Sequence, residues 1–531
     1  MNLISDKWIP VRRAEGSRDE IAPWQITDHV GTAKSPIVAI ASPRPDFDGA
    51  LVQFLIGLLQ TTCTPTDKMT WRKWRREPPS RDELKSGFDA VAFAFELEGE
   101  RAFMQDFAPL ELTNKLVISA ILIEAPGDQT QEQNKDHFIK RGLAEWLCPH
   151  CAAAALLTLQ INAPAGGRGY RTGLRGGGPL TTLIQGDSLW ETCWLNVLEK
   201  IRYLSDSEPD DAGDADRFPW LTKTRTSEAE PPAGIITSVD VHPDQQFWAT
   251  PRRVRLVAND LGKETNCSLC GAMGNRMYQH FMTSNYGANY QSFEHPLSPH
   301  YMKDGASNPV HPQPGGIGYR HWLGLIENST EGHTARKPAK VVGQFRTLAR
   351  EDGRLWAFGY DMDNMKARCW YDATMPIMVV PEGLEDIFKA LVEQMVRAAN
   401  WVSSVLRGRI KDALLGDGDA RGDLSFVQTH FWSATEGAFY AHVKNLRDVL
   451  SEPGGEKPIL ESWLSTLRNS ALTIFDHYSQ SGDFDTADPR RIATARNDLS
   501  KALNGKKLRD VLGLPHPTRG RLFETERRLL E

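Results

Sequence analysis

The sequence lacks any apolar run long enough to span a bilayer, and its opening, with Asp6, Lys7 and Pro10, lacks the uninterrupted apolar stretch of a signal peptide. A cytoplasmic setting without membrane contact is expected. An excess of positive charge is also missing: 62 Lys and Arg stand against 68 Asp and Glu, a net charge of −6. That excludes a protein that coats nucleic acid over its whole surface, so any such contact must be local. No fixed-period repeat is present, which removes support for solenoids and propellers. Cysteine is scarce, 7 in 531 residues, and in a reducing compartment disulfides are disfavoured. The phosphate-loop pattern Gly-x-x-x-x-Gly-Lys-Ser/Thr is absent, and Gly167-Arg-Gly169-Tyr-Arg-Thr-Gly173 misses the dinucleotide spacing by one residue. Phosphoryl and hydride transfer therefore lose support.

What is present divides near Pro381. A chain of this length exceeds one hydrophobic core and predicts two or three domains. Residues 1–381 mix Gly/Pro turns, a few helices and short β-branched or aromatic runs such as Leu116 to Ile123 and Lys340 to Phe345, which read as strands. This half is expected to be mixed α+β. In 382–531, Leu384, Phe388, Leu391, Met395, Val402, Leu406 and Ile410 recur at helical spacing, with Gly416 as a stop. Helices are predicted at about 424–450, at about 458–480, and after Asp488 as N-cap with Pro489 at the first helical position. Stripes such as Leu460, Trp463, Leu464, Leu467, Ala471, Ile474 and Phe475 must bury against one another, which predicts a four-helix bundle. The acids between Asp206 and Asp216 read as a solvated loop. Residues 488–531 carry eleven Lys or Arg against six Asp or Glu, which suits a phosphate backbone, an acidic partner or, most simply, a solvated face.

Four of the cysteines fall into two Cys-x-x-Cys knuckles, Cys148-Pro-His-Cys151 and Cys267-Ser-Leu-Cys270, separated by 115 residues. Together they supply the four thiolates of a closed tetrahedral site, so a structural Zn²⁺ is the first reading, its binding energy acting as folding energy. The competing reading is a cytosolic thiol-disulfide oxidoreductase that uses Cys148-Pro149-His150-Cys151. It leaves the second pair unexplained. A catalytic zinc is weaker, since four cysteines leave no open position and no His-x-Glu precedes them.

Between Pro164 and Pro179 lie seven glycines and three arginines in sixteen positions. Gly166, Gly167 and Gly169 let the main chain approach a ligand surface, and Arg168, Arg171 and Arg175 suit phosphate or groove contacts. The bland alternative is a flexible turn with solvated arginines.

Several segments taken together resemble one family. They are Asn2-Leu3 with Trp8-Ile9-Pro10-Val11, the two knuckles, Gly-Leu-Arg-Gly-Gly at 173–177 with Pro179-Leu180-Thr181-Thr182, His295-Pro296 with Ser298-Pro299, and Gln344-Phe345-Arg346. Over nearly the full chain the sequence resembles the large subunit, CasA, of the type I-E CRISPR Cascade surveillance complex. The resemblance implies a subunit without a reaction of its own that reads a protospacer-adjacent motif (PAM) in double-stranded target DNA and starts strand separation. It further implies contacts with other Cascade subunits, the guide RNA and a nuclease-helicase. The family's glycine loop carries over to Gly166, Gly167 and Gly169. Its basic finger falls on Asn285, and its wedge on Asn364, Met365 and Lys366. Its guide-RNA loop falls on 127–141, where Asn134, His137, Phe138 and Lys140 are the candidate contacts, with Phe138 able to stack on a base. That segment reads equally well as a mobile loop ahead of the knuckle.

Overall fold

Helix α1 (Pro45–Thr62) shows how the N-terminal part is built. Pro45 takes the first helical position, where its missing N–H costs nothing, and Asp46 and Asp48 lie in the first turn, near the positive end of the helix dipole. Beyond that turn the helix is apolar nearly all round, a pattern that suits only a helix enclosed by protein. Phe47, Leu51, Phe54, Leu55, Leu58 and Leu59 are accordingly buried. Phe54 meets Phe95, Phe103 and Trp248 edge-on, with ring centroids 5.8 to 5.9 Å apart, the geometry that aromatic quadrupoles favour.

The computed structural model describes residues 1–110, 114–126, 133, 144–204, 213–228, 234–331, 334–363, 366–415, 423–480 and 488–516. Two units are distinguished: Met1–Pro314 with Gly324–Ile377, and Gly315–Leu323 with Met378–Glu531.

The first unit is mixed α/β. Strands β1 (Ile9–Arg13), β2 (Arg18–Ile21) and β3 (Ile37–Ile40) form an antiparallel sheet in the order β2-β1-β3. Strand β4 (Asn114–Val117) is followed by β5 (Thr181–Gln185) and the short β6 (Ile235–Ile236). A long hairpin, β7 (Arg253–Asn266) and β8 (Met273–Ser284), takes β4 on its β8 edge, and β6 pairs in parallel with β9 (Asn289–Tyr290). Strands β10 (His300–Lys303), β11 (Ala306–Pro309), β12 (Ser329–Glu331) and β13 (Thr334–Lys337) form a sheet in the order β11-β10-β13-β12. A second long hairpin, β14 (Gly353–Asp363) and β15 (Lys366–Ile377), adds β5 on its β14 edge.

Two strand expectations are corrected. Lys340–Leu348 is a helix, with Val341, Val342, Gln344, Phe345 and Leu348 buried at helical, not alternating, spacing. Tertiary contacts override the β-branched pair here: Gln344 accepts the Glu199 N–H at 2.9 Å and donates to Val197 O at 2.8 Å. Of the run 116–123, only the first two residues are strand, and Ile118–Ile121 is a 3₁₀ turn.

The second unit is helical. Glu385–Leu415, Ser425–Val449, Glu456–Gln480 and Pro489–Asn504 pack on one another, followed by the short Lys506–Val511. Asp488 caps the fourth helix through the N–H groups of Arg490 and Arg491 at 3.0 and 3.2 Å. The unit also claims Gly315–Leu323, which no helical periodicity assigns to it. Within that segment, Tyr319 is fully buried, stacks on Phe439 at 4.2 Å and shares a 2.8 Å hydrogen bond with Thr435 Oγ1. The expected stop at Gly416, the acidic residues 206–211 and the tail after 516 lie outside the described residues.

Trp463 is fully buried, 5.7 Å from Phe439, and donates to Met395 O at 3.1 Å. Trp463→Ala is expected to cost about 3–5 kcal/mol, read as the shift in denaturant unfolding followed by far-UV circular dichroism.

Candidate metal centre and nucleic-acid interface

Cys148 is the N-cap of helix Pro149–Asn162, its Sγ accepting the Cys151 N–H at 3.5 Å. Cys267 to Cys270 form the turn between β7 and β8, closed by Cys267 N to Ala272 O at 2.8 Å. Ser268 ties this turn to the chain ahead of the first knuckle. Its Oγ accepts the N–H groups of Glu145 and Trp146 at 3.1 Å, and its N–H donates to Trp146 O at 2.8 Å. The four Sγ atoms lie within 4.8 Å of one another, with Cys148 and Cys270 at 3.6 Å. A tetrahedral site with Zn–S of about 2.3 Å has sulfur–sulfur edges of about 3.8 Å, so the quartet has the scale of a closed metal site. At this spacing the thiols compete for protons: hydrogen bonds with Cys148 and Cys151 draw Cys270 down to about 7. Cys193, buried with no such partners, has its thiol pushed up by desolvation. His150 stays out of the quartet, 3.4 Å from Glu20 Oε1. The oxidoreductase alternative is not supported, because Cys148 and Cys151 share one site with the second pair instead of standing as a separate dithiol.

Two struts leave this cluster. Helix Pro149–Asn162, about 21 Å long at 1.5 Å per residue, delivers the chain to the glycine loop. Strand β8 runs from the other knuckle to Asn285 and Tyr286. The two ends meet: Tyr286 N donates to Gly169 O at 2.7 Å, and a Cβ on Gly169 would lie 3.0 Å from both Asn285 Cβ and the Tyr286 ring. With φ at +80°, Gly169 also occupies a left-handed conformation that suits glycine.

The loop has two halves. Gly166, Gly167 and Arg168 are exposed, and Arg168 makes no hydrogen bond or ion pair with the described residues. From Gly173 onward the chain packs closely. A Cβ on Gly178 would lie 2.7 Å from Tyr360 O on β14, and one on Gly359 would lie 2.5 Å from Pro179 O. The back of the loop is thereby held against the hairpin whose end carries Lys366, which is exposed at the start of β15. Asn364 and Met365 lie outside the described residues, as do Asn134, His137, Phe138 and Lys140.

Arg175 corrects the expectation of a groove contact. It is 3 % exposed and donates to Thr181 Oγ1 and Ser298 Oγ at 3.0 Å each, and to Gln53 Oε1. Desolvation lowers its pKa to about 9, which leaves it charged at neutral pH. It braces the loop from inside. Arg171 is partly buried and bound to Ser227 through Oγ at 2.7 Å and O at 3.1 Å, and Ser227 N in turn donates to Tyr286 O at 3.1 Å.

The whole-chain comparisons agree with one another. Residues 2–474 match the family model of CRISPR-associated protein Cse1. The chain belongs to the Cse1 family. A Thermus thermophilus protein called both CasA and Cse1 is similar in fold, with a TM-score of 0.66 at 18% identity, covering 95% of this chain and 99% of that one. Thermobifida fusca Cse1 gives a TM-score of 0.70 at 14% identity, covering 97% and 98%. A chain of a CRISPR RNA-guided surveillance complex gives 0.67 at 15%, covering 95% and 99%. Among the described residues, no helix of this Cse1 chain is long and apolar enough to cross a membrane.

Sequence reading missed the Cse1 loop's inner clamp. Arg252, 8 % exposed, lies over the Tyr170 ring at 4.7 Å and donates to Pro164 O, gripping both sides of the exposed turn. Burial lowers its pKa to about 10. Arg252-Arg253 adjoins a strand start and carries no local signal of this role. The two kinds of loop arginine give a direct contrast. Arg175→Ala, which leaves Thr181 Oγ1 and Gln53 Oε1 buried without a partner, is expected to cost about 3 kcal/mol of unfolding free energy. Arg168→Ala is expected to change it by less than about 0.5 kcal/mol in the same denaturation experiment.

Proposed function

We propose that this chain is the non-catalytic large subunit of a type I-E Cascade that reads the PAM in duplex DNA, starts strand separation and offers a docking surface for the nuclease-helicase. The observation that carries this reading is the contact of Gly169 with Asn285 and Tyr286. It joins the loop and the finger position on one surface, and the back of the same loop lies on the hairpin that leads to the wedge position.

In this reading the exposed turn 166–168 brings bare main chain to the minor groove, and Arg168 adds a phosphate contact. Asn285, in place of a cation, supplies an amide that can both donate and accept. Minor-groove edges distinguish A·T from G·C mainly by the guanine amino group, so several PAM sequences are tolerated. Asn364, Met365 and Lys366 act as the wedge that unstacks the first pair, at a cost of a few kcal/mol offset by backbone contacts and then by the guide heteroduplex. Asn134, His137, Phe138 and Lys140 contact the guide RNA, and other Cascade subunits hold the chain in register. The cysteine quartet holds a structural Zn²⁺ that fixes the roots of both struts and supplies no chemistry to a substrate.

Elemental analysis of purified chain should give about one Zn per chain, and chelation should lower the unfolding temperature. A metal-free chain of unchanged stability would contradict the structural role. For the DNA site, Gly169→Val forces a β-branched residue into a left-handed turn against Asn285 and Tyr286. Target-duplex affinity of the reconstituted complex is expected to fall by at least about tenfold, or about 1.4 kcal/mol. Unchanged affinity would refute the assignment.

A further inference from the structure

Helix α2 (Lys68–Arg76) has the sequence KMTWRKWRR, five cations and no acid in nine residues, in a chain whose net charge is −6. Asp67 caps it by accepting the N–H groups of Met69 and Thr70 at 2.8 Å each. Its tryptophans turn inward: Trp71 is fully buried and donates to Val197 O at 3.1 Å, and the Trp74 ring lies 5.1 Å from that of Trp194. With that face fixed, helical spacing puts Lys68, Arg72 and Arg76 in one row, with Lys73 beside it.

Two of the five cations are committed within the protein. Arg72 donates to Leu348 O at 2.7 and 3.0 Å, and Arg75 pairs with Glu191 at 3.1 Å and with Glu351. Lys68, Lys73 and Arg76 are exposed, and their side chains make no hydrogen bond or ion pair with the described residues. The field of Lys73 reaches Glu83, a carboxylate already engaged in the capping box of Ser80. The basic face borders an open groove of about 510 Å³ between α2 and Leu348, Ala349 and Glu351.

Three uncommitted cations on a rigid helix form a local positive field on an otherwise negative chain, which suits a polyanion. Single-strand sites add aromatic side chains on which bases stack, and here Trp71 is buried and the half-buried Trp74 is engaged against Trp194. Lys68 and Arg76 lie about 12 Å apart along the axis, eight residues at about 1.5 Å each. That span matches about three to four phosphates of one strand of a duplex. We infer that the exposed face of α2 is a second contact for double-stranded DNA, gripping its phosphate backbone without regard to sequence. This inference rests on the duplex-DNA reading above and adds a site away from the glycine loop.

The test is the salt dependence of target-duplex affinity for the complex reconstituted with the full chain carrying Lys68→Gln, Lys73→Gln and Arg76→Gln together. The slope of log affinity against log salt is expected to become shallower by about 2.7, three contacts at about 0.9 each, with PAM preference unchanged. Arg76→Gln alone should remove about 0.9, and Lys68→Arg with Lys73→Arg should keep the parent slope. The single variant and a thermal unfolding curve keep the test sound if the triple variant folds poorly. An unchanged slope overturns the inference while leaving the loop assignment standing. So does a larger loss for single-stranded than for duplex DNA, or competition by polyglutamate that depends on these three residues, which marks an acidic-protein surface. A parent complex that binds no duplex overturns both readings.

Discussion

The hydrogen bond from Tyr286 N to Gly169 O, 2.7 Å long, closes a ring in which the rest of the candidate site is held. One side of the ring is helix Pro149–Asn162 with the front of the glycine loop, and the other is strand β8. Both begin at the same four sulfur atoms. Gly166, Gly167, Arg168 and Asn285, all proposed to meet DNA, therefore depend on a cluster at the far end of both struts. Loops carry function when a rigid scaffold positions them, and here the scaffold is two struts pinned at both ends.

The loop between the struts owes its shape to buried arginines as much as to glycine. A guanidinium taken out of water is costly to disturb once it has found hydrogen-bond partners or an aromatic face. Arg175 spends its donors on Thr181, Ser298 and Gln53, and Arg252 spends one on Pro164 O while its plane covers Tyr170. Close main-chain approach at Gly178 then fixes the back half against β14. Of the loop, only the turn 165–168 is left exposed, so the part free to meet a ligand is short and its base is held.

Much of this was legible in the residues. Cys-x-x-Cys spacing predicted that two distant segments meet, since four thiolates at one point answer a simple coordination need. Apolar stripes at helical spacing predicted the helices of the second unit, because a stripe such as Leu460, Trp463 and Leu467 has no other use, and Asp488-Pro489 marked a helix start through capping chemistry. Lys340 to Phe345 failed as a strand because a buried glutamine contact, invisible in a local window, decided the matter. Arg175 failed as a ligand contact for a similar reason: its partners, Gln53 and Ser298, lie more than a hundred residues away in sequence. Arginine in a glycine-rich run looks the same whether it points at solvent or into the core. The basic run of α2 was readable as composition, but which of its cations are free depended on Glu191, Glu351 and Leu348.

The geometry proposed for the loop requires that the cysteine cluster and the Gly169–Tyr286 contact form one mechanical unit. Hydrogen–deuterium exchange at the Tyr286 amide measures it directly, comparing the parent chain with Cys148→Ser. If the struts transmit the cluster's position, Tyr286 is protected in the parent and loses that protection in the variant together with the glycine loop. A Tyr286 amide that stays protected while the cluster is broken would contradict the account.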